Sequence, residues 1–316
     1  MDLYLQNLLF TANSVAPIFL IVFLGIALKR AGMVNENFVL ISSKLVFNVT
    51  LPVFLFMKLS RADFGQAMNV KQIVYVYAAT LLLFGLSWLL AVLFIPEGRN
   101  QGVFIQGCFR SNFAIVGVAM VANMFGEEGL ENAAVLLAFV VPLFNVLSVI
   151  ALTAPLRKDL NRKNIWREIF TNPLILGLLA AVPVAYFHIP VPELFERTGN
   201  YLAAVTLPLA LLGIGGGLNF KGMKDSSGIA LSSTFIKLVV APLLFTAAAH
   251  WLGFAGEEIA MLFILFASPT AVVSFIMAEA MGGNSKLAGD IVLFTTLASV
   301  LTLSSGIFLM KTLGVF

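Results

Sequence analysis

The stretch FRSNFAIVG, residues 109–117, places an arginine and an asparagine inside an apolar run that extends from residue 103 to residue 124. An apolar run of that length is typical of a membrane-spanning helix. A cation near the bilayer centre costs about 2.5 to 3.5 kcal/mol even on the lenient insertion scale, so an intramembrane arginine normally faces protein or a water-filled cavity. The sequence therefore predicts a functional site around Arg110 and Asn112.

A second polar stretch, ASPTAVVS at residues 267–274, lies in the middle of the apolar run 259–281. Proline inside a helix removes a backbone hydrogen bond and clashes with the carbonyl four residues back, so the helix is expected to break at Pro269. Two interrupted helices at corresponding places of two halves indicate the binding site of a transporter.

Composition indicates the class of protein. The chain of 316 residues is 60% hydrophobic and 11% charged, with a mean hydropathy of +0.99, which predicts an all-α polytopic membrane protein embedded in the lipid bilayer. The net charge of +3 forms no basic cluster, so nucleic acid is not expected as a partner. With the single cysteine Cys108 and two distant histidines, neither a metal site nor another cofactor is predicted.

Ten apolar runs are long enough for transmembrane helices. They cover residues 8–28, 38–57, 73–95, 103–124 and 133–152, and, after a polar segment at 157–168, residues 173–187, 201–218, 229–252, 259–281 and 291–310. The chain is thus predicted to consist of two five-helix units, residues 1–156 and 157–316.

The two units resemble each other at an offset of 156 residues. The sequence VTLP at 49–52 recurs at 205–208, Gly126 matches Gly282, and Asn112 matches Ser268. Because each unit holds an odd number of helices, the second unit must be inverted relative to the first, which predicts a five-plus-five inverted repeat.

The distribution of Lys and Arg predicts the orientation of the chain in the cell membrane. Loops on the side of the central polar segment hold eleven cations: Lys29, Arg30, Arg99, Arg157, Lys158, Arg162, Lys163, Arg167, Lys221, Lys224 and Lys286. The opposite side holds five: Lys58, Arg61, Lys71, Arg197 and Lys311. The central segment is therefore predicted to be cytoplasmic and both termini to lie outside the cytoplasm.

The predicted site has the chemistry of an anion-binding site. An interrupted helix presents free backbone amides and the positive end of its dipole to the break. Arg110 can bind a carboxylate through two parallel hydrogen bonds. Neutral donors are available from Ser111, Asn112, Ser268 and Thr270. Two alternatives remain open: Arg110 could be a structural charge that caps freed carbonyls or extends to the cytoplasmic face, and Asn112 could bond only to the broken backbone.

Other polar residues in apolar runs are weaker candidates. Lys237 and Asp290 could pair and couple transport to H⁺ or Na⁺, or Lys237 could neutralise a carbonyl while Asp290 caps a helix. The side chains of Asn48, Thr50 and Thr206 lie close in sequence to Pro52 and Pro208 and could face the substrate. Threonines at such positions also commonly bond back to their own helix.

Several of these residues together resemble the auxin efflux carrier family, which includes plant auxin exporters and bacterial malate or malonate permeases. They are LPVFLF at 51–56 with Leu59-Ser60, Asn112 followed by Gly117 and MFG at 124–126, and ASP at 267–269 followed by Phe275 and Ala278. The resemblance implies a fold like that of bile-acid transporters and sodium–proton antiporters, in which helices 4 and 9 are broken and cross at the substrate site.

The resemblance also implies that the helices form two domains with different functions. Residues 1–60 and 171–220 would form a scaffold that dimerises, and residues 71–155 and 226–312 would form a mobile transport domain. The family's helix-break asparagine matches Asn112, and its ninth-helix motif matches Pro269. The crossover prolines of the plant proteins are here Ala119 and Ser274, so that Gly117 and Pro269 would have to carry the unwinding.

These observations predict a secondary transporter that moves a small organic carboxylate, malate-like, malonate-like or auxin-like, by elevator-type alternating access. The alternatives are a channel-like anion pore and a membrane-embedded ligand sensor without transport. No nucleotide-binding loop and no motif of an intramembrane enzyme is found in the sequence, so the chain is not expected to be an enzyme.

Overall fold

A computed structural model describes residues 3–61, 69–156, 173–218 and 228–316 of the chain. The central polar segment at 157–168 and the cations Lys221 and Lys224, on which the predicted orientation depends, lie outside these residues. Within them, every regular element is helical, which confirms the prediction of an all-α protein.

Thirteen α-helices follow one another along the described chain. They are α1 Leu3–Arg30, α2 Glu36–Leu45, α3 Leu51–Leu59, α4 Val70–Phe94, α5 Arg99–Phe109, α6 Val118–Thr153, α7 Pro173–Tyr186, α8 Glu193–Gly217, α9 Gly228–Phe235, α10 Ala241–Trp251, α11 Gly256–Ala267, α12 Val273–Met281 and α13 Ser285–Thr312. Asparagine side chains cap three of the starts: Asn35, Asn69 and Asn284 accept backbone amides of α2, α4 and α13.

Two helix pairs are joined by wide π-helical turns instead of loops. Val46–Thr50 connects α2 to α3, and Ile236–Val240 connects α9 to α10. Each turn is followed by a proline at the second position of the next helix, Pro52 or Pro242. Proline has no N–H for the regular ladder and crowds the preceding turn, which accounts for the local widening. The apolar runs 38–57 and 229–252 thus each lie within one continuous helical stretch.

Seven helical stretches in the described chain are long and apolar enough to cross a membrane: Tyr4–Arg30, Glu36–Leu59, Val70–Phe94, Phe113–Leu156, Glu193–Gly217, Gly228–Trp251 and Ser285–Thr312. Pro173–Tyr186 is apolar but shorter. The number differs from ten because runs 103–124 and 259–281 are interrupted, and because Phe113–Leu156 holds parts of two expected helices on either side of Gly126. That glycine has φ 64° and ψ −145°, which breaks the helical path. The count of ten stays a prediction.

The helices pack in two groups. In the first group, α8 packs against α1, α2 and α3, and α3 packs against α7. The contact between α1 and α8 is so close that a Cβ on Gly215 would lie 1.9 Å from the carbonyl oxygen of Val22. Only glycine fits there.

The second group contains α4, α5, α6 and α9 to α13. Here α5 packs against α4, α6, α9 and α13, while α11 packs against α10 and α6. The two groups touch through α1 with α6 and α13, and through α6 with α3 and α7. The functional division into scaffold and transport domain stays a prediction at this point.

Candidate functional site

The two interrupted helices meet at their breaks. The first ends at Phe109 and resumes in the π-helical turn Phe113–Gly117, and the second ends at Ala267 and resumes at Val273. Ser111 and Thr270 pair as an isolated antiparallel bridge. The amide of Asn112 donates to the carbonyl of Pro269 at 2.8 Å, and the amide of Ala271 donates to the carbonyl of Arg110 at 3.2 Å. Each break therefore satisfies backbone groups of the other.

The register of this pair differs from the offset found in the sequence. The bridged residues Ser111 and Thr270 are 159 positions apart, and the two backbone hydrogen bonds lie symmetrically on either side of this pair. The glycines with positive φ that end the following helical segments, Gly126 and Gly282, keep the offset of 156. The bridge thus places Ser111 opposite Thr270, and the match of Asn112 with Ser268 at an offset of 156 stays a prediction.

Arg110 is buried, and its guanidinium contacts two other helices. Nη1 donates to Ser148 Oγ at 2.6 Å, and Nη2 donates to Asn145 Oδ1 at 2.8 Å. Nη1 also lies 3.1 Å from the sulfur of Met277 in α12. These contacts orient the guanidinium against α6 and next to the crossing.

Asn145 and Ser148, the partners of Arg110, were not predicted from the sequence. They lie three residues apart in the apolar run 133–152, a spacing that places two side chains on one helix face. An amide and a hydroxyl on one face of an apolar helix indicate that a polar side chain from elsewhere in the chain is buried against that face. The partner itself, Arg110, is distant in sequence, so the pairing required the fold.

Several polar side-chain groups at the crossing have no hydrogen-bond partner among the described residues. The side-chain amide of Asn112 forms no hydrogen bond to the described residues, although the residue is only 5% exposed. The backbone carbonyl of Asn112 accepts a hydrogen bond from the backbone amide of Val116 at 3.0 Å. Ser111 Oγ and Gln106 Oε1 are buried and unpartnered within the described chain as well. Buried polar groups are nearly always satisfied, so Ser111 Oγ and Gln106 Oε1 are available to a ligand or water, as is the side-chain amide of Asn112.

Other expected site residues use their polar groups within the protein. Ser268 Oγ donates to the carbonyl of Ile264 at 2.6 Å. Thr270 donates its hydroxyl to the carbonyl of Gly107 at 2.8 Å, and its amide to Thr295 Oγ1 at 3.1 Å. These two side chains stabilise the crossing and have no free donor for a substrate.

Gly117 and Pro269 contribute through their backbones. A Cβ on Gly117 would lie 2.2 Å from the Phe113 ring, so the π-helical turn closes only around glycine. Pro269 supplies the carbonyl that Asn112 binds, and as a proline it cannot continue the ladder of α11.

The three candidates in the first helix group lie in different surroundings. Asn48 is exposed, Thr50 is buried with an unpartnered hydroxyl among the described residues, and Thr206 donates to the carbonyl of Leu202 in its own helix at 3.1 Å. The helix α8, which carries Thr206, packs against the turn Phe113–Gly117. The first helix group therefore reaches the crossing directly.

Lys237 lies in the second helix group and is fully buried. Its ammonium donates to the carbonyl of Phe266 at 2.9 Å, as expected for a lysine that neutralises a carbonyl. Asp290 is buried in α13, whose cap is Asn284, so Asp290 does not cap that helix. Pairing of Lys237 with Asp290 stays a prediction.

The crossing is closed to solvent. Arg110, Ser111, Asn112, Ser268 and Thr270 are each at most 6% exposed.

Comparison with known proteins gives matches over most of the chain. Residues 10–305 match the family described as membrane transport protein. An uncharacterized transporter of Methanothermobacter thermautotrophicus is 22% identical over 93% of this chain and 96% of its own length. A putative malonate transporter of Rhizobium meliloti is 26% identical over 94% of this chain and 95% of its own length. Auxin efflux carrier component 3 of Arabidopsis thaliana is 21% identical over 43% of this chain and 22% of its own length.

Proposed function

This chain belongs to the membrane transport protein family, that of the auxin efflux carriers, and on that premise we propose that it is a secondary transporter of a small organic carboxylate. It is a transporter and not an enzyme. The observation that carries the substrate class is the crossing of two interrupted helices, with Arg110 and the side-chain amide of Asn112 next to the bridge between Ser111 and Thr270.

The crossing favours an anion on electrostatic grounds. The helical segments that resume after each break direct their first amides and the positive ends of their dipoles toward the crossing. These groups stabilise an anion by about 0.3 to 1 kcal/mol at an exposed site and by up to about 2 kcal/mol when partly buried. Arg110 adds a guanidinium, whose planar fork matches a carboxylate. We assign direct contact with the substrate to Asn112, Ser111 and Arg110.

The size of the substrate is suggested by the relatives. One is named a putative malonate transporter over nearly the whole length of both chains, and another is an auxin efflux carrier component. Both names denote small carboxylates. A malonate-like or malate-like dicarboxylate is the first choice, because the full-length match is to the malonate protein.

Alternating access of the elevator type accounts for the closed crossing. In this proposal the first helix group, within residues 1–60 and 171–220, is the scaffold. The second group, within residues 71–155 and 226–312, carries the crossing past it. The proposal is supported by the packing of the helices in two groups and by the burial of the site in this structure. Ten crossings in a five-plus-five inverted repeat are part of this proposal.

Three further features complete the proposal. The scaffold helices form a homodimer, the protein resides in the cell membrane with both termini outside the cytoplasm, and Lys237 with Asp290 couples transport to H⁺ or Na⁺. The placement of the termini is supported by the loop charges, which favour a cytoplasmic central segment.

The test is flux in proteoliposomes that contain the purified protein. Radiolabelled malonate, malate and an auxin are supplied outside, with and without unlabelled carboxylate inside. Saturable uptake that is accelerated by internal carboxylate supports the proposal. Flux that rises linearly with concentration identifies a pore, and ligand binding without flux identifies a sensor. Either result overturns it.

A further inference from the structure

Lys237 is the one lysine with no exposed surface among the described residues. It lies in the π-helical turn Ile236–Val240, between α9 and α10. Its ammonium makes one hydrogen bond there, to the carbonyl oxygen of Phe266 at 2.9 Å. A buried charge is costly unless its surroundings compensate it, so this position needs an electrostatic explanation.

The acceptor explains the position. Phe266 is the penultimate residue of α11, which ends at Ala267 immediately before the crossing. The last four carbonyls of a helix have no partner within the helix, and the negative end of the helix dipole lies there. The carbonyl of Ile264 receives the amide and the hydroxyl of Ser268, and the carbonyl of Phe266 receives the ammonium. Lys237 thus places a positive charge on the negative end of the broken helix.

The same position suits a metal cation. Carbonyl-terminated half-helices at a midmembrane break are where transporters with interrupted helices coordinate Na⁺ or accept a proton. An ammonium and a hydrated alkali ion carry the same charge and bind the same carbonyl oxygens. The ammonium differs in being covalently tethered, so it neither dissociates nor responds to the ion gradient.

We propose that Lys237 is a built-in substitute for a coupling metal cation, in which its ammonium neutralises the C-terminal end of α11 and so positions the crossing for an anion. Lys237 is a positioning residue in this account, because it acts on the substrate through α11. The inference deepens the proposed function by narrowing its two candidate coupling ions, H⁺ and Na⁺, to H⁺, and it rests on that function only for the flux measurement below.

The first test measures thermal unfolding without any substrate. Wild-type protein, Lys237→Gln, Lys237→Arg and Lys71→Gln are heated in detergent with NaCl, LiCl or choline chloride at equal ionic strength. Lys71 is the matched control, since its ammonium also donates to a backbone carbonyl, that of Leu252, at 2.9 Å, but on an exposed residue. The readout is the difference in melting temperature between an alkali cation and choline.

The proposal predicts no such difference for wild type, Lys237→Arg or Lys71→Gln. Lys237→Gln is expected to melt several degrees lower in choline and to recover part of that loss in Na⁺ or Li⁺, because the emptied position then takes a metal cation. Wild-type protein that is stabilised by Na⁺ over choline overturns the proposal. A Lys237→Gln protein that responds no more than Lys71→Gln also overturns it.

If Lys237→Gln is too unstable to purify, the response of Lys237→Arg to alkali cations tests the proposal. Retained folding without a response to alkali cations supports the tethered charge, and a melting temperature that rises with Na⁺ in this variant contradicts it. The flux assay separates this inference from the proposed function. Carboxylate flux that requires Na⁺ in wild type refutes the inference alone, whereas no flux in any salt refutes the proposed function.

Discussion

Arg110 donates a hydrogen bond to the side-chain oxygen of Asn145 at 2.8 Å, across 35 residues of chain. The bond joins the residue after α5 to the C-terminal part of α6, and Ser148 adds a second contact about one helical turn further along. The charge of the proposed site is therefore positioned by the part of α6 that lies beyond Gly126, away from the break.

Removal of these contacts should weaken substrate binding through Arg110. A hydrogen bond to a charged group is worth roughly 1.5 to 3 kcal/mol, so Asn145→Ala and Ser148→Ala should each reduce carboxylate affinity about tenfold or more. The measurement is a binding titration of the purified variants. In an Arg110→Ala background the same substitutions should have little further effect, because the residues act as one unit.

Ser304 is the matched control for Ser148, since it lies 156 residues later and donates only to its own helix, at the carbonyl of Val300. Ser304→Ala should leave affinity unchanged. Equal losses in Ser148→Ala and Ser304→Ala would contradict a role for the Arg110 network in binding.

Asn112→Ala should abolish most transport while leaving the fold intact. The side chain makes no hydrogen bond to the described residues, so its loss removes no internal contact, whereas a substrate carboxylate would lose a donor. We expect at least about a tenfold fall in uptake at low substrate concentration, which corresponds to about 1.4 kcal/mol, with a melting temperature close to wild type. Asn48→Ala, at an exposed asparagine, is the control and should retain both.

A substantial fall in melting temperature for Asn112→Ala would show that the amide is structural. Unchanged transport in this variant and in Arg110→Ala would place the substrate site elsewhere.

Gly117→Ala should destabilise the protein. The new Cβ would lie 2.2 Å from the ring of Phe113, which is itself fully buried, so the π-helical turn must distort. Overpacking of this kind typically costs about 1 to 3 kcal/mol. The expected result is a lower melting temperature in detergent together with reduced uptake.

Gly85→Ala is the opposite case, because nothing lies within 4 Å of a Cβ at that position in α4. It should be neutral or stabilising by about 0.5 to 1 kcal/mol through helix propensity. If both alanine variants melt alike, steric closure around Gly117 is not what shapes the break.

Gly215→Ala should separate α1 from α8. Its Cβ would lie 1.9 Å from the backbone carbonyl oxygen of Val22, and a backbone atom cannot move aside as a side chain can. We expect loss of folded protein after detergent extraction, measured by size-exclusion chromatography. Gly217→Ala, two residues further on, meets only a methyl group of Val39 at 3.5 Å and should behave like wild type. Normal extraction of Gly215→Ala would refute the close contact of the two helices.

The ion pair between Lys58 and Glu127 joins the two helix groups. Glu127 is 73% exposed, so the pair is worth no more than about 1 kcal/mol. In the elevator proposal this contact breaks during transport, so Lys58→Glu should change the uptake rate, but by less than about tenfold. The double variant Lys58→Glu with Glu127→Lys, which reverses the pair, should restore the wild-type rate.

Arg197→Gln is the control for this exchange, since Arg197 pairs with Glu193 in its own helix and does not join the groups. Its uptake should equal that of wild type. Failure of the reversed pair to restore the rate would argue against a contact that breaks during transport.

The sequence by itself determined the membrane class, the helical content and the two places where helices are interrupted. Each of these depends on short-range properties: apolar length, the missing amide of Pro269, and polar residues at 110–112 in an apolar run. The resemblance to the auxin efflux carriers, carried by short motifs, is likewise confirmed by the family match.

Only the tertiary structure decided which groups meet. It paired Ser111 with Thr270, directed Arg110 to Asn145 and Ser148, and placed the ammonium of Lys237 on the end of α11. The paired residues are 159 positions apart, so the offset of 156 found in the sequence did not identify the partners at the crossing. Hydropathy is a sum along the chain, whereas a hydrogen bond depends on distance and direction in space, which only the packed helices specify.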